Sequence, residues 1–182
     1  MDEFEDSELL DKFRNADTKH YAFNLLVKKY QNRLYWHIRR MVLDHDDAND
    51  IIQNLFIKVW TSLDGFRQDS QLYTWLYRIA TNESITFINK KKKRFFIPFQ
   101  NVEHEMIGKL EYDPLFSGDK IQLLLQKAIL TLPPQQRLIF NMKYFENMKY
   151  EEISEILGLK VGGLKASYHH AVKKIEKYLL SN

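Results

Sequence analysis

Side chains that could bind a metal, take a proton or attack a substrate are few in this chain. Histidine occurs six times, as His20, His37, His45, His104, His169 and His170, and cysteine does not occur. Without cysteine, a disulfide scaffold, a thiolate zinc site and a cysteine nucleophile are excluded. His169 and His170 are neighbours, so on a helix they point roughly 100° apart. A helical metal pair needs i,i+3 or i,i+4 spacing instead, and neither residue has another histidine at that distance. There is no phosphate-cradling glycine loop and no Ser-His-Asp order. The residues therefore predict no catalytic group, no metal site, no cofactor and no small-molecule substrate.

Binding chemistry is better represented. Lys90, Lys91, Lys92, Lys93 and Arg94 form a basic run, and Tyr73, Thr74, Tyr77 and Asn82 precede it. Stacking surfaces beside a phosphate-attracting run suit single-stranded nucleic acid. The other reading puts the aromatics in a core and leaves the lysines to solvate a helix end. The formal charge of the 182 residues is only +3, but it is segregated. Residues 1–70 carry −3, residues 71–100 carry +5, residues 101–130 carry −2 and residues 131–182 carry +3. Local charge governs a polyanion contact, because fields act over a Debye length of about 8–10 Å.

Helices must position these groups. Ile51, Ile52, Leu55, Phe56, Val59 and Trp60 recur with helical spacing, as do Leu72, Trp75, Leu76, Ile79 and Ala80. On that second helix Tyr73, Tyr77, Arg78 and Thr81 fall on the other sides. Ile121, Leu124, Leu125, Ala128 and Ile129 make a third stripe, and Leu9, Leu10, Phe13, Phe23, Leu26, Val27, Tyr30 and Leu34 add one or two helices in front. Strand-type alternation is absent, so the fold class is all-α. Pro98, Gly108, Pro114 and Gly118 cluster in a weakly periodic stretch that reads as a linker. The expected organisation is two small helical domains, 1–95 and 119–182, joined by residues 96–118. The acidic N-terminus lacks a signal core, and no run approaches the roughly 20 apolar residues of a membrane span. A cytoplasmic location is expected.

Residues 132–180 hold the most specific pattern. Pro133 and Pro134 suit a helix start. Tyr150 to Leu157 is a short amphipathic helix with Ile153, Ile156 and Leu157 inward, and Gly158 ends it as a left-handed cap. After a glycine turn read through Gly163, a longer helix runs to about Leu180. This is a helix-turn-helix, whose second helix enters the DNA major groove. Leu164, Tyr168, Ala171, Ile175 and Tyr178 would be inward. Lys165, Ala166, His169, His170 and Lys173 would face the groove. In the first half, Asp46, Asp47 and Asp50 open the Ile51–Trp60 helix, where acids serve as caps. Asp50, Gln53 and Asn54 share a polar strip that also suits protein docking.

Together these motifs resemble a family. D-A-x-D-x-x-Q-x-x-F-x-x-x-W (Asp47 to Trp60), T-W-L-Y-R-I-A-x-N (Thr74 to Asn82), then L-P-x-x-x-R (Leu132 to Arg137) and the helix-turn-helix are similar to sigma-70 family RNA polymerase sigma factors. The match is to the extracytoplasmic-function (ECF) group, which keeps only regions two and four. The ending L-K-A-S-Y-H-H-A-V-K-K-I resembles the form common in Bacteroidetes members. The resemblance implies a promoter-specificity subunit with no chemistry of its own. Its implied partners are core RNA polymerase, through the β′ and β subunits, promoter DNA and an anti-sigma factor. It implies polymerase contact by Asp47, Asp50, Gln53, Asn54 and Phe56. It implies −10 DNA contact by Phe66 and Arg67 in a base-capturing loop, by Trp75, Tyr77, Arg78 and Asn82, and by Lys90 to Arg94. The −35 element falls to Lys165, Ala166, His169, His170 and Lys173. The chain departs from the family pattern at Asn54, where Glu is usual, at Thr86 and Asn89, where Asp and Arg are common, and at Gly163 and His170, where Thr and Arg are frequent. A stand-alone helix-turn-helix regulator is the alternative. It accounts for residues 132–180 and leaves the 46–60 helix unexplained.

Overall fold

The computed structural model describes residues 4–95 and 119–181, with the backbone alone for residues 92–95. Among these residues there are eight α-helices and no strand. They are α1 (Asp6–Arg14), α2 (Lys19–Val42), α3 (His45–Ser62), α4 (Leu72–Phe95), α5 (Lys120–Leu130), α6 (Pro134–Tyr144), α7 (Tyr150–Leu157) and α8 (Val161–Ser181). A 3-10 turn, Leu63–Gly65, follows α3.

In the N-terminal half α2 is the central element and packs against α1, α3 and α4. Its periodic residues Leu26, Leu34 and Ile38 are buried against Ile51, Leu55 and Val59 of α3 and Leu72, Leu76 and Ala80 of α4. Each such Leu, Ile or Val side chain contributes about 1.5–3 kcal/mol on leaving water. Phe13, Phe23, Phe56 and Trp60 close one end as an aromatic cluster with ring centroids 5.0–6.4 Å apart. The Leu43 amide, at φ +59°, donates to the Arg39 carbonyl and ends α2. Asp44 then caps α3 by accepting from the Asp46 and Asp47 amides, both at 3.1 Å. The cap is therefore Asp44, two residues upstream of the Asp46–Asp50 cluster that the sequence suggested. The clustered acids are left for other work.

In the C-terminal half α8 touches α5, α6 and α7. Ala128, Ile129, Leu132, Phe140, Ala171 and Ile175 form its core. Pro134 occupies the first turn of α6, as expected of a proline-led helix. The third apolar stripe is only partly used: Ala128 and Ile129 are buried, while Ile121 is 78% exposed.

The two halves share a core. Ile139, Met142, Met148, Ile153, Ile156 and Leu164 are continuous with the N-terminal apolar cluster. α7 packs on α4, and α6 packs on α2. This second layer corrects the expectation for α4, where Tyr77 and Thr81 were placed away from the core. Both are buried, because α4 is covered by α2, α3 and α7 rather than along a single face.

Candidate nucleic-acid and partner interfaces

The α7–α8 corner is built from the backbone outward. Gly158 has φ +68°, a conformation that costs an ordinary L-residue roughly 1–2 kcal/mol, and its amide donates to the Ser154 carbonyl at 2.8 Å. The Ser154 hydroxyl donates to the Leu159 carbonyl at 2.6 Å and braces the far side of the turn. The Glu152 carboxylate accepts from the Lys149 amide at 2.6 Å and caps α7. Gly162 and Gly163 were read as part of the turn, but α8 already begins at Val161. Both glycines lie in its exposed first turn, where the amides have no helical partner and bare backbone is cheap.

Leu164, Ala171 and Ile175 anchor α8 inward. Half-buried Tyr168 stacks on Phe140 at 5.7 Å and meets Tyr150 edge-on at 6.4 Å, fixing α8 against α6 and α7. Lys165, Ala166, His169, His170 and Lys173 are all exposed. The five residues expected to face a groove thus share one open surface. Among the described residues, no three His, Asp or Glu groups converge as metal ligands.

On α3, Asp50, Gln53 and Asn54 are exposed and close together along the helix, and Ile57, one turn further, is 63% exposed. Ile57 was missed. It lies off the Ile51-Leu55-Val59 spacing, which was the signal that it points outward. The other two expected residues are placed differently. Phe56 is half-buried against Phe23, and Asp47 accepts from Lys91 Nζ at 2.5 Å, tying α3 to α4.

The proposed −10 residues divide. Arg67, Arg78, Asn82 and Lys90 are exposed. Phe66 is buried with its ring 5.1 Å from that of half-buried Trp75, and Gln68 at φ +60° turns the loop beyond it. Tyr77 is 0% exposed and donates to Glu146 at 2.8 Å. Burial pushes its hydroxyl well above the ordinary phenol range, and the Glu146 carboxylate adds to this. Burial also pushes neighbouring Tyr73 up to about 12. Behind Tyr77, His37 hydrogen-bonds with Thr81 at 2.9 Å, and burial, aided by Arg40, pushes its imidazole down to about 3. Lys91 is engaged with Asp47, and the side chains of Lys92, Lys93 and Arg94 lie outside the described residues.

Comparisons with known proteins follow the same division. Residues 26–94 match the family described as Sigma-70 region 2, and residues 122–175 match Sigma-70, region 4. The chain is 31% identical over 185 residues to the RNA polymerase sigma-H factor of Pseudomonas aeruginosa, covering 96% of this chain and 94% of that protein. It is 32% identical over 166 residues to the ECF RNA polymerase sigma factor SigW of Bacillus subtilis, covering 87% and 89%. Among solved structures, CnrH in complex with the cytosolic domain of CnrY superposes with a TM-score of 0.69 at 20% identity, over 97% of this chain and 99% of that one. RpoE in complex with the anti-sigma factor NepR, from Bartonella quintana, gives 0.70 at 22% identity over 86% and 96%.

Proposed function

The chain belongs to the sigma-70 family of RNA polymerase sigma factors, in its extracytoplasmic-function group, and from that premise we propose how its surfaces divide the work. It binds core RNA polymerase and directs promoter-specific initiation of transcription. One observation carries the division of labour. A single chain presents an open recognition face on α8 and, on α3 of the other half, an exposed strip of Asp50, Gln53, Asn54 and Ile57.

In this reading α8 lies in the major groove at the −35 element. Ala166, His169 and His170 meet base edges, and Lys165 and Lys173 meet phosphates. The α3 strip docks on polymerase, with Ile57 as its apolar centre and the polar residues as rim. Asp47 and Phe56 act from behind, holding α3 to α4 and to the aromatic cluster. Arg67, Arg78, Asn82 and Lys90 meet the −10 strand, and Phe66, Trp75 and Tyr77 form the rigid body on which those contacts stand. The domain limits are 1–95 and 119–182, with 96–118 between them. The two matched family segments fall inside those limits.

Family membership gives the chain no catalytic step, so its work is positional. We place it in the cytoplasm, where the polymerase works. Among the described residues no helix is long and apolar enough to cross a membrane. An anti-sigma factor is the expected regulator, as the structural relative in complex with NepR illustrates for its own case. The ending Leu164 to Ile175 supports a place among Bacteroidetes-like members. Run-off transcription with sigma-free core polymerase tests the assignment: the purified chain confers initiation at defined start sites. A chain that fails to bind core at all sinks it.

A further inference from the structure

The outward side of α4 carries one residue whose type differs from that of its neighbours. Ile85 is 40% exposed, whereas the other apolar residues of that stretch, Ile79, Phe87 and Ile88, pack against the core. At 100° per residue, Arg78, Asn82, Ile85, Thr86 and Asn89 fall within about 100° of the helix circumference, and all of them are exposed. They form one stripe opposite Leu76, Ala80 and Ser84, which are buried. Along the axis Ile85 sits about 4.5 Å from Asn82 and about 6 Å from Asn89. The stripe holds a guanidinium, amides and a hydroxyl, and no carboxylate. Glu83, the acid of α4, is paired instead with Lys58 of α3.

A lone exposed isoleucine is ordinary on a protein surface. Its place within this stripe is what gives it a use. Arg78 and Asn82 are assigned above to the −10 strand, so a side chain between Asn82 and Asn89 on the same stripe meets that strand too. Charge selects nucleic acid over a protein partner here, because residues 71–100 carry +5 and the stripe itself has a cation and no anion. Base edges offer hydrogen-bond donors and acceptors, which isoleucine cannot match, and one apolar group, the C5-methyl of thymine.

We propose that Ile85 is a specificity-determining residue that reads a thymine methyl in the −10 element. This role rests on the −10 assignment of α4 above. Contact takes the isoleucine and the methyl out of water together, while the amides of Asn82 and Asn89 bond to the nucleotides on either side. Loss of one buried methyl is worth about fourfold in affinity.

Deoxyuridine differs from thymidine by that methyl alone, so it isolates the contact. Holoenzyme assembled from core polymerase and the full chain is titrated by fluorescence anisotropy with promoter DNA identified by its run-off start sites. Each thymidine of the −10 element is replaced in turn by deoxyuridine. The parent weakens about fourfold at one position. Ile85→Val, which keeps a branched apolar side chain, retains most of that ratio. Ile85→Ala binds the thymidine and deoxyuridine forms alike at that position and leaves the other positions as they were. Since Ile85 fills no part of the core, neither variant threatens folding. An Ile85→Ala chain that weakens every DNA alike and keeps the parent's ratio makes Ile85 a wedge between bases or a polymerase contact, and overturns the inference. So does a parent with no position sensitive to deoxyuridine. Transversions across the same element separate this inference from the reading beneath it. A parent that discriminates against them, while Ile85→Ala keeps the deoxyuridine ratio, retains the −10 assignment and removes Ile85 from it. A parent indifferent to the transversions removes the −10 assignment itself.

Discussion

Helix α8 and helix α4 are both proposed to meet promoter DNA, yet they present their residues in opposite ways. All five residues proposed for α8 are exposed, and the inward anchors lie on a separate stripe. On α4 and its preceding loop, the aromatics Phe66, Trp75 and Tyr77 are buried or half-buried, and the cations and amides are outside. The difference follows from packing. α8 lies at the rim of the C-terminal half, so one side stays free. α4 is enclosed by α2, α3 and α7, so its aromatics brace the surface that its polar residues use. Reading duplex edges requires a ready-made protruding face, whereas handling a separated strand requires a rigid platform.

Tyr77 offers the largest break in that comparison. If its ring is part of the platform, Tyr77→Ala removes a fully buried aromatic and costs about 3–5 kcal/mol of stability. For a chain of this size that lowers Tm by roughly 10 °C. His169→Ala, on the free face of α8, leaves Tm unchanged. Thermal unfolding followed by circular dichroism compares the two. An unchanged Tm for Tyr77→Ala would return this residue to the DNA surface.

A smaller effect comes from His37, beneath Tyr77. Its pKa is pushed down to about 3 in the folded chain, against about 6.5 unfolded, so it folds neutral. The unfolded chain binds a proton below about pH 6.5 and the folded chain does not, so stability falls as pH drops from about 6.5 towards 3. Between pH 7 and pH 5 this amounts to about 2 kcal/mol. Urea midpoints at the two pH values read it, and His37→Gln flattens the dependence. A midpoint equally pH-sensitive in the variant would place the titrating group elsewhere.

How much of this was legible beforehand follows the same line. The helix-turn-helix was readable because Gly158 has a single conformational job and the α8 residues alternate between one inside and one outside. The turn was still drawn too long, because a glycine in an exposed first helical turn looks like a turn residue in sequence. The α3 strip was readable except for Ile57, whose apolar type hid its outward position. Tyr77 and Thr81 were misplaced because periodicity assumes one buried face and cannot see a second: Thr81 meets His37 of α2, and Tyr77 meets Glu146 from the C-terminal half. The bond from Arg40 to Glu146 was invisible for the same reason. Arg40 and Glu146 are 106 residues apart and neither belongs to a motif.

The smallest effect sharpens the account of α8 itself, since its five residues are proposed to do two different things. Lys173 is assigned to a phosphate and His169 to a base edge. A phosphate contact releases condensed counterions whatever the sequence, so Lys173→Ala lowers the salt slope of log K by about 0.9 and weakens all duplexes alike. Near physiological salt that amounts to roughly threefold. A base contact depends on its partner, so His169→Ala narrows the gap between the cognate −35 duplex and one mismatched there, by up to about 1–3 kcal/mol for a full contact. Its salt slope stays where it was. Fluorescence anisotropy with the polymerase holoenzyme, on both duplexes across a salt series, measures the two quantities together. If Lys173→Ala changes discrimination and His169→Ala changes the salt slope, the two roles are exchanged. α8 would then sit in the groove with its C-terminal part, rather than its N-terminal part, nearest the bases, since the two residues share one face and differ in their place along the helix.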